Sequence, residues 1–523
     1  MAQALAVEAL SQSPRPRRLG WKTWIPTVAI AAVMVYIAVV AMNWPFTQQA
    51  VINLLQQRSL RAVTVGRFYR TYFPPGCIAE DVRFLHRKHK EKPPLITVRN
   101  LVLATSYARI LLLEERLSLV RITDMHVTVP PSTPGRPNPV MPLTYSTSPA
   151  SIKIDRIIAD GASLEFLSKR GEAPYRVIID KLRLDCIGNN LPMPYTALVS
   201  NQMPPGKVYS TGVVGTWNPK DPGSTPVEGS YRFENANLAA FGGISGILFS
   251  SGSFKGILRE IKVRGTSNVP NLKVYDTSHE RPLVVAYRAN VNGIDGDTQL
   301  EEGTARFDHT TAGFSGSVAH SSDADGKTAA IDVWAEIGRV EDILRLFTSD
   351  RTAPMSGALR FFGHVDIPPG PQPFLRRVKL RADFGVTGGK FADRKTEADL
   401  TRLSDSVHKH RGPDQSAANV FTDLTGRGSA GDGVASLSNV SFAIPGAKAW
   451  VHGTYGLIDY KVDLHGTLLT SGTPSEATTG FKSLVVKAIT PFFKRKHSEK
   501  LVPFKITGSY SKMDISLDLG RGK

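Results

Sequence analysis

Cysteine is nearly absent: Cys77 and Cys186 are the only two in 523 residues. That excludes a disulfide framework, and the two are expected as buried free thiols, a pairing between them being possible but not demanded by spacing. Catalytic signatures are absent as well. There is no G-x-S-x-G elbow and no H-E-x-x-H pair. The DGKT at 325–328 lacks the first glycine of a phosphate loop, because position 321 is Ser, and a strand follows it. It reads as a hairpin tip. The overlapping SDADG is not opened by an acidic residue at 321, and no Glu closes a calcium loop. His86 and His89, like His408 and His410, sit among Lys and Arg without the carboxylate or cysteine partners that a metal site uses. No catalytic residue, metal or cofactor is expected, and no enzymatic activity.

Acidic residues are in deficit, 46 against 64 basic ones, for a net charge of +18. The basic residues are scattered through alternating segments, apart from clusters at 86–92 and 494–496. That spread does not suit nucleic acid, and an anionic lipid surface fits the charge better. Long apolar runs are also lacking, with one exception. No charged residue occurs between Lys22 and Arg58, and TWIPTVAIAAVMVYIAVVAMNW at 23–44 is long enough to cross a bilayer core of about 30 Å. Ile30, Val35 and Ile37 lie within it, and Trp24 and Trp44 stand where indole rings prefer the interface. Arg15, Arg17, Arg18 and Lys22 mark residues 1–22 as a cytoplasmic tail. The run is too long for a cleaved signal peptide and does not end in an A-x-A pattern. An uncleaved single-pass anchor is expected, with the bulk of the chain outside the cytoplasm.

What the chain has in quantity is alternation. From Ile458, the positions Ile458, Tyr460, Val462 and Leu464 share one side, and Asp459, Lys461, Asp463 and His465 the other. Period two means a strand with one apolar and one polar face. The same pattern places Ile152, Ile154, Leu164 and Phe166 in IKIDRIIADGASLEF, where Asp160-Gly161 reads as a hairpin turn. It places Tyr287 and Val291 in AYRANVNGI, and Ile331 and Val333 in AAIDVWAEI. At the end of the chain it places Phe504, Ile506, Met513, Ile515 and Leu517. The 45 Gly and 35 Pro suit many short strands and turns. Helical periodicity is confined to short faces: Val51, Leu54, Leu55 and Arg58 after Pro45; Val340, Ile343, Leu344 and Phe347; Leu400, Leu403 and Val407; and Phe481 to Ile489. So few helices cannot cover so much sheet. The apolar side must be a dry core between packed sheets, or a trough that holds something else.

In order along the chain, the anchor and VTVGRF are followed by IKIDRIIADGASLEF and NLAAFGGISGILFSSGSFKGIL. Then come NGIDGDTQL, NVSFAIPGAKAWVHGTYGL, TTGFKSLVVKAITPFFKRK and LVPFKITGSY. This order resembles the AsmA-like family, bacterial proteins with one inner-membrane helix and a long periplasmic β body related to bridge-like lipid transporters. The resemblance implies a mainly β fold: one N-terminal transmembrane helix, then a long curled antiparallel sheet forming a groove, with a few short amphipathic helices. The residues themselves give a helix and first β unit at 45–130 and a Pro-rich loop at 131–150, and the resemblance makes 151–370 and 371–523 groove regions. Within the last, a helix at 479–493 either caps the sheet or rests its Lys482 and Lys487 on an anionic leaflet, capping being the commoner use. The implied partners are phospholipids of the inner membrane and envelope assembly proteins, with acyl chains lying on the apolar positions named above. The implied role is support of lipid transport between inner and outer membranes and of outer-membrane assembly. A non-enzymatic scaffold for outer-membrane proteins with a closed core is the alternative.

Overall fold

The computed structural model describes residues 21–42, 44–59, 61–85, 94–112, 114–129, 153–166, 175–188, 191–216, 221–274, 279–320, 326–346, 353, 355–391, 422–444, 447–470, 500–509 and 512–517. The chain opens with α1 (Trp21–Met42) and α2 (Gln48–Ser59), then β1 (Val63–Thr64), β2 (Arg67–Tyr72), β3 (Pro75–Phe84) and β4 (Ile96–Ala104). Helix α3 (Tyr107–Leu111), β5 (Arg116–Leu117) and β6 (Leu119–Val129) complete the first unit. There follow β7 (Lys153–Phe166), β8 (Tyr175–Ile187), β9 (Met193–Gln202), β10 (Pro205–Val214), β11 (Pro226–Asn237), β12 (Ile244–Ser245), β13 (Ile247–Ile257) and β14 (Glu260–Val274). Next are β15 (Arg281–Val291), β16 (Thr298–Phe307), β17 (Thr310–His320), β18 (Lys327–Arg339), α4 (Val340–Leu344), β19 (Met355–Ile367), α5 (Phe374–Arg377) and β20 (Lys379–Phe391). The last are β21 (Thr422–Gly431), β22 (Val434–Ile444), β23 (Ala447–Gly456), β24 (Lys461–Thr470), β25 (Lys500–Ser509) and β26 (Lys512–Leu517).

Among the described residues, all 26 strands belong to one hydrogen-bonded network. Nearly every strand lies beside its neighbour in sequence, because short turns let the chain double back at once. The two-residue β12 pairs only with β14. At one edge β1 and β2 both pair with β3, and at the other β26 pairs with β25, so the sheet does not close. The expected sheet was wholly antiparallel, and here the structure differs. Strands β5 and β6 run parallel to β7, since the chain between β6 and β7 is long enough for the crossover that a parallel pair needs.

Two further expectations fail for local reasons. Asp160-Gly161 is not a hairpin: β7 runs straight through it without a register shift, and Gly161 (φ +75°) takes a left-handed backbone beside Asp124 (φ 51°) of β6. A Cβ on Gly161 would lie 2.8 Å from Asp124 Oδ1. Asp81 of β3 also has a left-handed φ of 53°, so β3, β6 and β7 each carry a left-handed residue at this level, with no shift in register. Each one swaps the parity of the inward side chains at the same level: Ala79, Leu101 and Ile122 before, Val82, Val98 and Met125 after. Likewise VTVGRF is not one strand but β1 and β2, interrupted at 65–66.

Buried side chains gather in two places. At the first edge, Phe46, Val51, Val63, Cys77, Val82, Val98 and Leu103 form a core under α2, with Ile154 packed against it. The second core lies under α4, where Val340 meets Leu359, Val386 and Leu424. The expected helix face at 51–58 is present as α2, and that at 340–347 is present as α4 up to Leu344, Phe347 lying outside the described residues. Those at 400–407 and 479–493, the histidine pairs and the 131–150 loop lie outside the described residues.

Both cysteines are free, but they differ: Cys77 is buried and Cys186 is exposed, correcting the expectation for the latter. Cys186 has a φ of 59° in β8, which turns its side chain out of the regular alternation. Burial pushes the Cys77 thiol up to about 12, against a smaller opposing hydrogen bond from the Leu103 backbone. A thiol reagent should therefore modify the native protein once, at Cys186, and a second time only on unfolding. Two fast equivalents would contradict this burial.

Candidate functional site: the apolar face of the sheet

Residues directly opposite one another on paired strands point to the same face, so the registers can be followed from strand to strand as one row. It starts at Cys77 in β3 and passes through Leu103, Val120, Ile157, Leu184 and Tyr195. Gly212, Gly229, Phe254, Val263, Ala289 and Leu300 come next. Gly316, Ile331, Val365, Leu380, Ala430 and Ala435 follow. Tyr455, Val462, Gly508 and Met513 carry it to β26. From β3 to β26 this row holds no charged residue; on the edge strand β2, Arg70 lies opposite Cys77.

A second row, two residues along each strand, is nearly as apolar. In the first half it includes Leu182, Ala197, Ser210, Tyr231, Gly252, Gly265 and Tyr287. In the second half it runs Gly303, Phe314, Val333, Gly363, Ala382 and Gly428, then Leu437, Gly453, Leu464, Ile506 and Ile515. The glycines have a packing reason: a neighbouring aromatic ring lies over each of several of them. A Cβ on Gly303 would come 2.3 Å from the Phe314 ring, and one on Gly265 2.5 Å from Tyr231 Oη. Such rings give glycine-bearing strands a continuous apolar surface.

The opposite face is polar along its length. One residue off the central row stand Arg183, Thr196, Thr211, Ser230, Ser253, Arg264 and Arg288. In the second half the positions are Asp332, His364, Arg381, Ser429, Ser436, Thr454, Asp463, Thr507 and Asp514. On this face His364 Nδ1 lies 2.6 Å from Asp332 Oδ1, and its Nε2 lies 3.3 Å from Asp366 Oδ1. The Asp332 hydrogen bond leads in raising the imidazole pKa above its ordinary value, with Asp366 adding to it and desolvation opposing. A raised folded-state pKa means stability that is fully present below the ordinary value and fades as pH climbs through the raised one. His364→Gln should thus lower the melting temperature at about pH 6 and leave it nearly unchanged at about pH 9. An equal loss at both pH values would contradict the pairing.

Exposure distinguishes a sandwich core from an open face. Phe254, Val263, Leu300, Ile331, Val365 and Leu380 are half-buried rather than buried. Side chains between two packed sheets would be fully covered. Near the middle of the face the second row carries hydroxyls in place of hydrocarbon. The Tyr231 and Tyr287 hydroxyls hydrogen-bond each other across the glycine positions, and Ser250 Oγ lies 2.9 Å from the Tyr287 hydroxyl. Burial, followed by the neighbouring Tyr287, raises the Tyr231 pKa. These hydroxyls give the face hydrogen-bonding capacity.

Of the residues expected from sequence, Ile331, Val462 and Met513 stand in the central row. Tyr287, Val333, Leu464, Ile506 and Ile515 stand in the second. Val291 lies between Ile261 and Thr298 in a flanking row, and Phe504 between Gly466 and Leu517 on the other flank. Leu164 sits beyond Gly161, opposite Val127 and Val177. Ile154 joins the core under α2. Ile152 and the Phe166 side chain lie outside what is described, as do the side chains of Met513, Ile515 and Leu517, whose strand positions are given. Ile458 and Tyr460 are a correction. They belong to the turn before β24, Tyr460 has a φ of 57°, and Tyr460 N donates to Gly456 O. Ile458 packs on Gly433 instead.

Sequence reading missed Tyr195, Tyr231, Phe254, Phe314 and Tyr455. An aromatic residue with glycine two positions away, as in GSYRF and GSFKG, was the available signal.

On α1, Ile30, Val35 and Ile37 are 61%, 63% and 54% exposed, while the Trp24 side chain is not described. Among the described residues no helix is long and apolar enough to cross a membrane. The unbroken run of described side chains on α1, 28–39, covers about 18 Å.

Among the described residues no three His, Cys, Asp or Glu side chains are grouped to hold a metal ion. Compared with known proteins, the chain matches no protein-family profile and no curated protein.

Proposed function

We propose that the sheet is curled into a groove whose apolar floor shields phospholipid acyl chains, in a protein held at the inner membrane by α1. The central row carries this reading: from β3 to β26 it holds no charge, and its larger side chains between Ile157 and Leu380 are only half-buried. At about 4.8 Å per strand, the row extends on the order of 100 Å. A single acyl chain would lie over about four strands. Each methylene removed from water contributes about 0.8 kcal/mol, so a chain held against one wall gains several kcal/mol. Specificity for a reaction is not required, because the face acts by solvation.

The exposed apolar side chains of α1 support the same setting, since hydrocarbon is the surrounding in which they would not be costly. The order of motifs resembling the AsmA-like family adds lipid traffic between inner and outer membranes, and outer-membrane assembly, as the biological role. On this reading the chain is an inner-membrane protein with a periplasmic body, and it needs no cofactor.

The test is mass spectrometry of phospholipid that co-purifies with the full chain in mild detergent. Bound lipid is expected with the unaltered protein and should disappear with the double change Val462→Asp and Leu464→Asp. Retention of lipid by that variant, or no lipid with the parent, would overturn the proposal. Circular dichroism of the variant shows whether the sheet persists.

A further inference from the structure

The most exposed large apolar side chains of the sheet's first unit cluster at one end. Phe73, at the tip between β2 and β3, is 90% exposed, and Leu112, just after α3, is 71% exposed. Tyr72 and Tyr107 are beside them at 54% and 40%. These belong to one surface. The Phe73 and Tyr107 rings are 5.9 Å apart, and the Tyr107 hydroxyl donates to Tyr72 O at 2.7 Å. Trp44, directly after α1, lies 5.6 Å from the Tyr72 ring. Side chains with an apolar body and a polar tip favour the membrane–water interface.

A contact with α1 fixes the height of this surface. Tyr36 in α1 donates its hydroxyl hydrogen bond to Leu111 O. Tyr36 stands six positions before Met42, so Leu111 is level with a point about 9 Å along the helix from its sheet-proximal end. If α1 lies in a bilayer with Trp44 at the interface, residues 107–112 and the 72–74 tip cannot remain in bulk water. The 107–112 segment is held there firmly. Arg109 Nη1 and Arg116 Nε donate to Asp155 at 2.7 and 2.6 Å. For the Asp155 carboxyl, burial acts upward, but the two arginine hydrogen bonds prevail and lower its pKa.

We infer that the 72–74 tip and the 107–112 segment form a lip that dips into the outer leaflet of the membrane holding α1. It rests on the proposal that α1 is a bilayer anchor. The partner is a lipid surface. The lip has a direct relation to the apolar face: the central row begins at Cys77 and Leu103, each four residues from a lip residue, Phe73 or Tyr107. Cys77, Leu103 and Val120 are covered in the core under α2, so the first half-buried positions of the row are Ile157 and Leu184.

Spin labels test this in the full chain reconstituted into phosphatidylethanolamine–phosphatidylglycerol vesicles. With Cys186→Ser as background, labels go to Phe73→Cys, Leu112→Cys, Val35→Cys and Thr211→Cys. Power-saturation measurements then compare access to oxygen with access to a water-soluble nickel complex. Labels at 73 and 112 are expected about 5–10 Å below the phosphate level, with 35 deeper and 211 in water. Labels at 73 and 112 as aqueous as 211, with 35 still in lipid, would overturn the lip and leave the anchor standing. An aqueous 35 would overturn both. The labelled lip residues are already exposed, so labelling does not threaten the fold.

Discussion

Ile331→Glu will strip co-purifying phospholipid from the protein and barely change its melting temperature. Ile331 sits mid-row between Gly316 of β17 and Val365 of β19, and it is half-buried. Water reaches a glutamate there while the face is free of lipid, so the fold tolerates the charge. With an acyl chain in place, the carboxylate would be covered by hydrocarbon. Placing a charged side chain in hydrocarbon costs about 3 kcal/mol on an insertion scale, close to a ~100-fold loss in affinity. Ala330→Lys puts a charge one residue away on the opposite face and should leave bound lipid unchanged. Measured lipid per chain in the two variants distinguishes loss by position from loss by charge alone. Equal retention in both would mean that the row does not contact lipid.

Asp342→Leu, by contrast, should destabilise the protein by about 3 kcal/mol. Asp342 is fully buried in the first turn of α4. Its Oδ2 accepts from His309 N at 3.0 Å and from Thr310 Oγ1 at 2.8 Å. Thr310 Oγ1 in turn accepts from Arg339 N at 2.9 Å, so the carboxylate anchors the β16–β17 turn to the start of α4. Leucine leaves two donors without acceptors, each costing about 1–3 kcal/mol. It also frees α4 from the cluster it covers around Leu359, Val386 and Leu424. Asn at this position keeps one acceptor oxygen and should cost about 1 kcal/mol. Denaturant midpoints for the two variants check the order. A leucine variant as stable as the parent would show that the buried carboxylate holds nothing together.

Strand content was legible because alternation is local: Ile331 and Val333, or Val462 and Leu464, announce their shared face within one segment. The row itself was not legible. It depends on which residue of one strand lies opposite which residue of the next, and that register is set by turns and bulges between strands. Asp160-Gly161 illustrates the ambiguity. A hairpin and a left-handed kink within a continuous strand both want a left-handed glycine, and the neighbouring strands decide between them. At Ile458 the apolar–polar alternation continued by coincidence into a turn, where Tyr460 carries a left-handed backbone. Glycines such as Gly229 and Gly265 read as punctuation, yet they occupy floor positions because rings from neighbouring strands cover them. The short helices α2 and α4 were readable because each presents its apolar residues at three- and four-residue spacing.

The most direct test of an acyl-binding face is photo-crosslinking at consecutive positions of two adjacent strands. Benzoylphenylalanine would be placed in turn at Ile331, Asp332, Val333 and Trp334 in β18, and at His364 and Val365 in β19. The chain would be reconstituted with radiolabelled phospholipid. Lipid adducts should form at Ile331, Val333 and Val365 and be absent at Asp332, Trp334 and His364. Similar yields on both faces, or no adduct at the three inward positions, would contradict the account.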